Sequence, residues 1–208
     1  MAKGKFITFE GGEGSGKSTQ LAQPRGADPL VTREPGGTPV AEGIRALLLD
    51  PARAPGALAE ALLMEAARAE LVATALKPAL AAGRVVLCDR YADSTLAYQG
   101  AGRGLDLAML HEWNRVATGG LDPDLTLLYD LDPAIGLERR AGDHGVPNRL
   151  DRESLEFHAR VRACFLELAR AEPGRFVVID AGAAPAAVER RTWEAVEGRL
   201  AGAGTRAG

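Results

Sequence analysis

The chain has 208 residues, of which 46% are apolar and 25% charged, with a formal net charge of -3. That length holds one well-buried core rather than two independent domains, and the composition excludes a disordered or fibrous chain. The mild negative balance gives no global pull toward nucleic acid or an anionic membrane, so any phosphate recognition has to be local.

Met1 to Phe9 lacks the apolar run and cleavage site of a secretory leader, and no segment reaches the ~18 uncharged apolar residues of a membrane span. Cys88 and Cys164 lie far apart, the first in an apolar run, and read as two buried thiols rather than a disulfide. A cytoplasmic protein is expected. His111, His144 and His158 lack metal-ligand spacing, and no structural metal is expected either. Of the 25 basic residues only Lys3, Lys5, Lys17 and Lys77 are lysines, so a placed lysine is more informative here than any single arginine.

The first predicted strand, Lys5 to Glu10, runs directly into Gly11-Gly12-Glu13-Gly14-Ser15-Gly16-Lys17-Ser18, with Thr19 following. This fits G-x-x-x-x-G-K-[ST] between a strand and a helix start. Glycines let successive N–H groups turn toward phosphate oxygens, the helix start adds partial positive charge, and Lys17 adds a full one. Ser18 offers Mg2+ a hydroxyl. The helix that starts here is cut short by Pro24 and Gly26, well below the length a parallel crossover needs. Either the crossover is truncated or residues near Gln23 to Gly26 are absent from this sequence; the second reading is adopted.

A second strand, Leu30 to Thr32, opens the loop Thr32-Arg33-Glu34-Pro35-Gly36-Gly37-Thr38, which by composition alone is a rigid turn carrying one cation. A long helical segment follows from Leu58 to Leu80, with Leu62, Leu63, Ala66, Ala69, Val72 and Leu76 on one predicted stripe. The third strand, Arg84 to Asp89, ends in a carboxylate of the kind that holds a water on Mg2+ near a phosphate loop, with Arg90 beside it. Leu125 to Leu131 is the fourth strand. Its Asp130 competes with Asp89 for the metal, but a cap on the next helix is the favoured role.

Arg139 to Arg152 mixes Gly, Pro and Asn with four arginines and reads as a charged flap. Arg175 to Asp180 is the fifth strand, and residues 201–208 read as a loose tail. Strand and helix alternate throughout, which predicts one α/β domain over residues 1–200, with a parallel sheet covered on both faces and ligands beyond the carboxyl ends of its strands.

Six segments together resemble the thymidylate kinases of bacterial type, the P-loop nucleoside monophosphate kinases that convert dTMP and ATP to dTDP and ADP. They are FEGGEGSGKST (Phe9 to Thr19), TREPGGT (Thr32 to Thr38), KPAL (Lys77 to Leu80), DRYADSTLAYQGAGRG (Asp89 to Gly104), PDLTLLYDL (Pro123 to Leu131) and NRLDRES (Asn148 to Ser154). The resemblance implies a three-layer P-loop NTPase fold with five parallel strands and an arginine-rich lid at about 139–152. It implies ATP and Mg2+ on Gly11 to Thr19, with Ser18 and Asp89 at the metal. Arg33 and Arg90 would bind the dTMP phosphate and Glu13 would lie near the sugar 3'-hydroxyl. Arg68 would bond the thymine carbonyl, while Thr95, Tyr98 and Gln99 would line base and deoxyribose, Tyr98 guarding against a 2'-hydroxyl. A homodimer is likewise implied.

Two positions depart from the family pattern. Met64 stands where a phenylalanine usually stacks on thymine, and Gly14 stands where one branch carries a phosphate-loop arginine. The missing cation must then come from the lid, with Arg149 aligned to the lid arginine and Arg140 and Arg152 as helpers. Lys17, Arg90 and Arg149 are the expected catalytic residues. A kinase for another monophosphate, a catalytically crippled homologue and a non-catalytic nucleotide-binding module remain as alternatives, the last disfavoured because neither N-K-x-D nor D-x-x-G occurs.

Overall fold

The computed structural model describes residues 4–22, 24, 28–142 and 149–201. Five strands form one parallel sheet: β1 (Phe6–Gly11), β2 (Leu30–Arg33), β3 (Val86–Asp89), β4 (Leu125–Asp130) and β5 (Phe176–Asp180), in the order β2-β3-β1-β4-β5. All five lie within two residues of the predicted runs. β1 is central, pairing Phe9 with Asp89 on one side and with Leu127 on the other. The chain therefore leaves β1 with strands on both flanks, the arrangement that opens a crevice at its carboxyl end.

The period-2 alternation of β1 assigns its side chains to two different cores. Ile7 and Phe9 pack with Leu127, Tyr129, Trp193 and Val196 under α9 (Pro185–Ala201). On the opposite face Phe6 meets Leu71, Leu76 and Tyr91. The same side carries a cluster of Tyr98, Phe157, Val161 and Phe165 against Leu128 and Phe176. Helices thus cover both faces, the expected three layers. Buried Thr8 and Thr126 satisfy one another across β1 and β4 at 2.9 Å.

The remaining helices are α1 (Lys17–Leu21), α2 (Pro39–Leu49), α3 (Ala57–Leu71), α4 (Lys77–Ala81), α5 (Ala92–Thr95), α6 (Leu107–Thr118), α7 (Pro133–Gly142) and α8 (Leu155–Ala171). α1 is as short as Pro24 predicts. The reading that residues are absent falls largely on 23 and 25–27, outside the described residues, as do 143–148 of the lid and 202–208 of the tail.

The long predicted helix is not one α-helix. A π-helical stretch, Val72–Leu76, joins α3 to α4, and a second, Leu96–Gly102, continues α5. The wider π turn shifts the helical phase, so a stripe drawn at 3.6 residues cannot stay on one face. Val72 and Leu76 are buried as expected, whereas Leu62 and Ala66 are exposed, and Ala61, Ala67, Arg68 and Leu71 fill the inward side of α3.

Candidate active site

β1 delivers the chain into the phosphate loop through Gly11, whose φ of 137° and closeness to the Tyr129 carbonyl leave no room for a side chain. Lys17 folds back over the loop and donates to the carbonyls of Gly11 and Gly12 at 3.0 and 2.7 Å and to Ser15 Oγ at 3.0 Å. Burial, reinforced by the nearby Arg90 charge, pulls its pKa down to about 8 against the opposing carboxylates of Asp89, Glu13 and Glu10. Gly14, at φ 64°, is pressed against the Gly136 carbonyl of α7. A side chain at position 14 would run into that carbonyl, so no arginine fits at this point of the loop.

At the end of β3, Ser18 Oγ donates to Asp89 Oδ2 at 3.0 Å, while Asp89 Oδ1 is buried without a partner. A hydroxyl and a carboxylate oxygen at this spacing, with a second oxygen unsatisfied, suit a hard cation that takes oxygen ligands.

Arg90 is a non-glycine residue in the left-handed region, with φ 68°, a conformation costing ~1–3 kcal/mol. Its neighbours hold it there. Arg90 N–H donates to Phe9 O at 3.0 Å, Tyr91 N–H to Glu10 Oε1 at 2.8 Å, and Ser94 Oγ to Glu10 Oε2 at 2.6 Å. Glu10 is fully buried, and desolvation, with the Asp93 charge beside it, raises its pKa to about 8. The turn aims the Arg90 guanidinium at Gly11 O (3.0 Å) and Glu13 Oε1 (2.7 Å), over the ring of Tyr98. Tyr98 donates to the same Glu13 oxygen at 2.8 Å. Burial opposes ionisation of Glu13, but the Arg90 and Lys17 charges and the Tyr98 hydroxyl outweigh it and hold the carboxyl below its ordinary range.

The loop after β2 is more than a turn. Thr38 caps α2 by accepting from Ala41 N–H at 3.2 Å, and Pro39 begins the helix. Arg33 is half exposed and paired with Glu42 at 2.9 Å. Capping at Thr38 orients α2 so that Arg45, tied to Pro35 O at 2.8 Å, lines the cavity with Arg33 and Arg90. Burial and then the charge of Arg33 lower the Arg45 pKa, against the carboxylates of Glu42 and Asp89. Sequence reading missed Arg45, because in a chain whose basic residues are nearly all arginines one more on a helix carries no signal.

These groups surround one cavity of about 660 Å³. Glu13 to Thr19, Arg33, Asp89, Arg90, Met64, Tyr98 and Gln99 line it, as do Arg139 and Arg140 of α7 and Arg149. Gly11 and Gly12 act from behind through their carbonyls on Lys17 and Arg90. Arg149 bonds the Glu60 carboxylate and donates to Leu48 O at 3.2 Å, Arg140 reaches Asp151 at 3.3 Å, and Arg152 is exposed and outside the lining.

Arg68 and Thr95, expected at the base, are both fully buried and outside the lining of the cavity. Arg68 donates to Glu34 at 2.9 Å, Glu65 at 2.7 Å, Thr95 at 3.0 Å and Asn114 at 2.6 Å, which ties α3 to the β2 loop, α5 and α6. Desolvation raises the pKa of Glu34 to about 7 despite the Arg68 charge. Asp130 neither caps a helix nor faces Ser18: it grips Arg162 of α8 at 2.6 and 3.0 Å, while Asp132 takes the capping bond from Ala134 N–H at 2.8 Å.

A family model described as thymidylate kinase matches residues 9–191. A thymidylate kinase of Deinococcus radiodurans is 53% identical over 205 residues, covering 96% of this chain and 99% of that protein. One from Synechococcus sp. (strain JA-3-3Ab) is also 53% identical, over 94% of this chain and 96% of its own. A crystal structure of thymidylate kinase from Ehrlichia chaffeensis superposes with a TM-score of 0.72 at 32% identity, covering 93% of this chain and 99% of that one.

Proposed function

The chain belongs to the thymidylate kinase family, and from that premise we propose that this cavity holds ATP on the phosphate loop and dTMP against Arg33, Arg45 and Arg90. The activity is phosphorylation of dTMP to dTDP, with ATP as donor. One observation carries this division: a phosphate loop and three arginines from separate elements line the same cavity as Met64, Tyr98 and Gln99. Charge-assisted hydrogen bonds to a phosphate contribute about 1.5–3 kcal/mol each, enough for three arginines to bring one dianion against another.

The acceptor phosphate oxygen attacks the terminal phosphoryl group in line; one P–O bond forms, one breaks, and ADP leaves. A phosphate monoester is already ionised near neutrality, so no general base is needed, and positioning with charge stabilisation suffices. Lys17 neutralises the donor phosphates, Arg90 the acceptor, and Arg149 the migrating group. Ser18 and Asp89 would hold Mg2+, which supplies charge neutralisation of the donor phosphates when bound. Glu13, fixed by Arg90 and Tyr98, faces the sugar, and Tyr98 walls off a 2'-hydroxyl. Arg68 and Thr95 support the base pocket from behind.

Side-by-side measurement of ADP release with dTMP, dUMP, dCMP and dGMP tests the assignment; preference for a nucleotide other than dTMP would overturn it. Selection against dUMP rests on one methyl, about 1–3 kcal/mol, so moderate discrimination is expected. Met64 lines the cavity. A thioether against a ring contributes about 0.3–1.5 kcal/mol, whereas an aromatic stack contributes ~1–3 kcal/mol. Met64→Phe should therefore lower KM for dTMP, and an unchanged or raised KM counts against Met64 as the base platform.

Among the described residues no helix is long and apolar enough to cross a membrane. Two free, buried cysteines support a reducing cytoplasm as its compartment. Leu58 and Leu62 on α3 and Leu107 and Val116 on α6 are 45–68% exposed, which supports a homodimer through the outer faces of these packed helices. Light scattering that returns 21.8 kDa instead of twice that mass would remove the dimer.

A further inference from the structure

Glu60 lies outside every motif in the sequence, yet it is 2% exposed in the cavity wall and takes hydrogen bonds from three side chains. Oε1 accepts from Gln99 Nε2 at 2.7 Å and Arg103 Nε at 3.3 Å; Oε2 accepts from Arg103 Nη2 at 3.3 Å and from Arg149. Burial opposes its charge, but the bonds from Gln99 and Arg149 and the Arg103 charge outweigh it and hold the carboxyl below its ordinary range.

An ionised carboxylate accepts and never donates. It therefore dictates which end of the Gln99 amide turns toward it: the NH2 must, and the oxygen must face the other way. That oxygen, Gln99 Oε1, is shielded from solvent and has no partner. A buried acceptor left empty costs about 1–3 kcal/mol. Gln99 itself lines the cavity with Met64 and Tyr98, so a bound base is the partner it lacks.

We propose that Glu60 is a positioning residue for base recognition: by holding the amide nitrogen of Gln99 it presents the amide oxygen as an acceptor, and so selects pyrimidines that carry an N3–H donor. The inference rests on the reading of Gln99 as part of the base pocket. Thymine and uracil bring N3–H to that oxygen. Cytosine brings a lone pair, and the amide cannot turn over to meet it without setting its own oxygen against the Glu60 carboxylate. A site whose buried polar group would be left unpaired rejects the wrong ligand more strongly than a shape mismatch does. Arg103, paired at 2.7 Å with Glu153 as well, stays with Glu60 when Arg149 moves to the phosphates, so the carboxylate keeps a cation through turnover.

The test compares Glu60→Gln, Gln99→Ala and the double variant with dTMP, dUMP and dCMP, by kcat/KM and by competitive inhibition of dTMP turnover by dCMP. Glutamine at position 60 can offer its own NH2 and let Gln99 invert. The preference for dTMP over dCMP should then fall by about tenfold, the equivalent of one hydrogen bond, while the ratio of dTMP to dUMP stays the same. In the Gln99→Ala background the change at position 60 should no longer affect preference. Glu60→Asp, which remains acceptor-only, should retain it, and Glu60→Ala replaces Glu60→Gln if the latter does not fold. A fall of less than about threefold, with dTMP and dCMP affected alike, makes Glu60 merely structural and overturns the proposal. If Gln99→Ala also leaves preference intact, the base-pocket reading itself fails.

Discussion

Arg149→Ala lowers kcat by about 10^3-fold or more while leaving KM for dTMP nearly unchanged, because an arginine that meets charge only in the transition state contributes about 10^3 to 10^5 in rate. That is roughly 4–7 kcal/mol of barrier. On the proposed reading the lid supplies this charge, since a side chain at position 14 would run into the Gly136 carbonyl. Arg149 now bonds Glu60 and the Leu48 carbonyl, on the wall of the cavity that carries Gln99. On the proposed reading Arg149 leaves those partners for the phosphates as the lid closes, and closure would also exclude water that otherwise hydrolyses ATP. Arg149→Lys should recover only part of the rate, for an ammonium lacks the planar fork. A loss under tenfold in the alanine variant would transfer the role to Arg140 or Arg139, which line the same cavity.

Arg68→Met costs about 3–5 kcal/mol of folding stability at pH 8, as removal of one partner from a buried ion pair does. The guanidinium is fully buried between Glu34 and Glu65 and donates to Thr95 and Asn114 as well. Its loss strands two carboxylates. Glu34, already raised to about 7 by burial, loses the Arg68 charge that opposed the rise and moves higher still. A carboxyl raised in the folded state contributes stability that is fully present below its unfolded value near 4.5 and disappears as pH climbs through the folded value. The penalty of the variant should therefore shrink between pH 8 and pH 5. Urea titrations at both values measure it; a cost below ~1 kcal/mol at pH 8, or one that does not decrease in acid, contradicts this role for the buried pair.

Much of the fold was legible before any coordinates. The three inner strands, β3, β1 and β4, are short, largely apolar runs ending in Gly or an acid, a pattern that buried parallel strands impose directly on sequence. The phosphate loop was equally plain, since only glycine tolerates Gly11 against the Tyr129 carbonyl and Gly14 against Gly136. The phase of the long helix was not. The π-helical stretch Val72–Leu76 resets it, and nothing in a 3.6-residue pattern announces an i to i+5 turn. Asp130 and Asp132 show the same limit: both are acids at the carboxyl end of β4, and only the position of Arg162 on α8 separates the ion pair from the cap.

The sequence by itself determined that this is a parallel α/β domain with a phosphate loop and a lysine in it. Residue type and local spacing suffice there, because backbone conformation and burial act on neighbours in the chain. Tertiary structure alone decided which polar groups reach the cavity and which stand behind it. Arg68 is turned inward onto Glu34, Arg45 lines the cavity while bonded to the Pro35 carbonyl, and Glu60 meets Gln99 across 39 positions of chain. Hydrogen bonds and ion pairs form between whatever the packing brings within about 3 Å, and that distance is set by elements far apart in sequence.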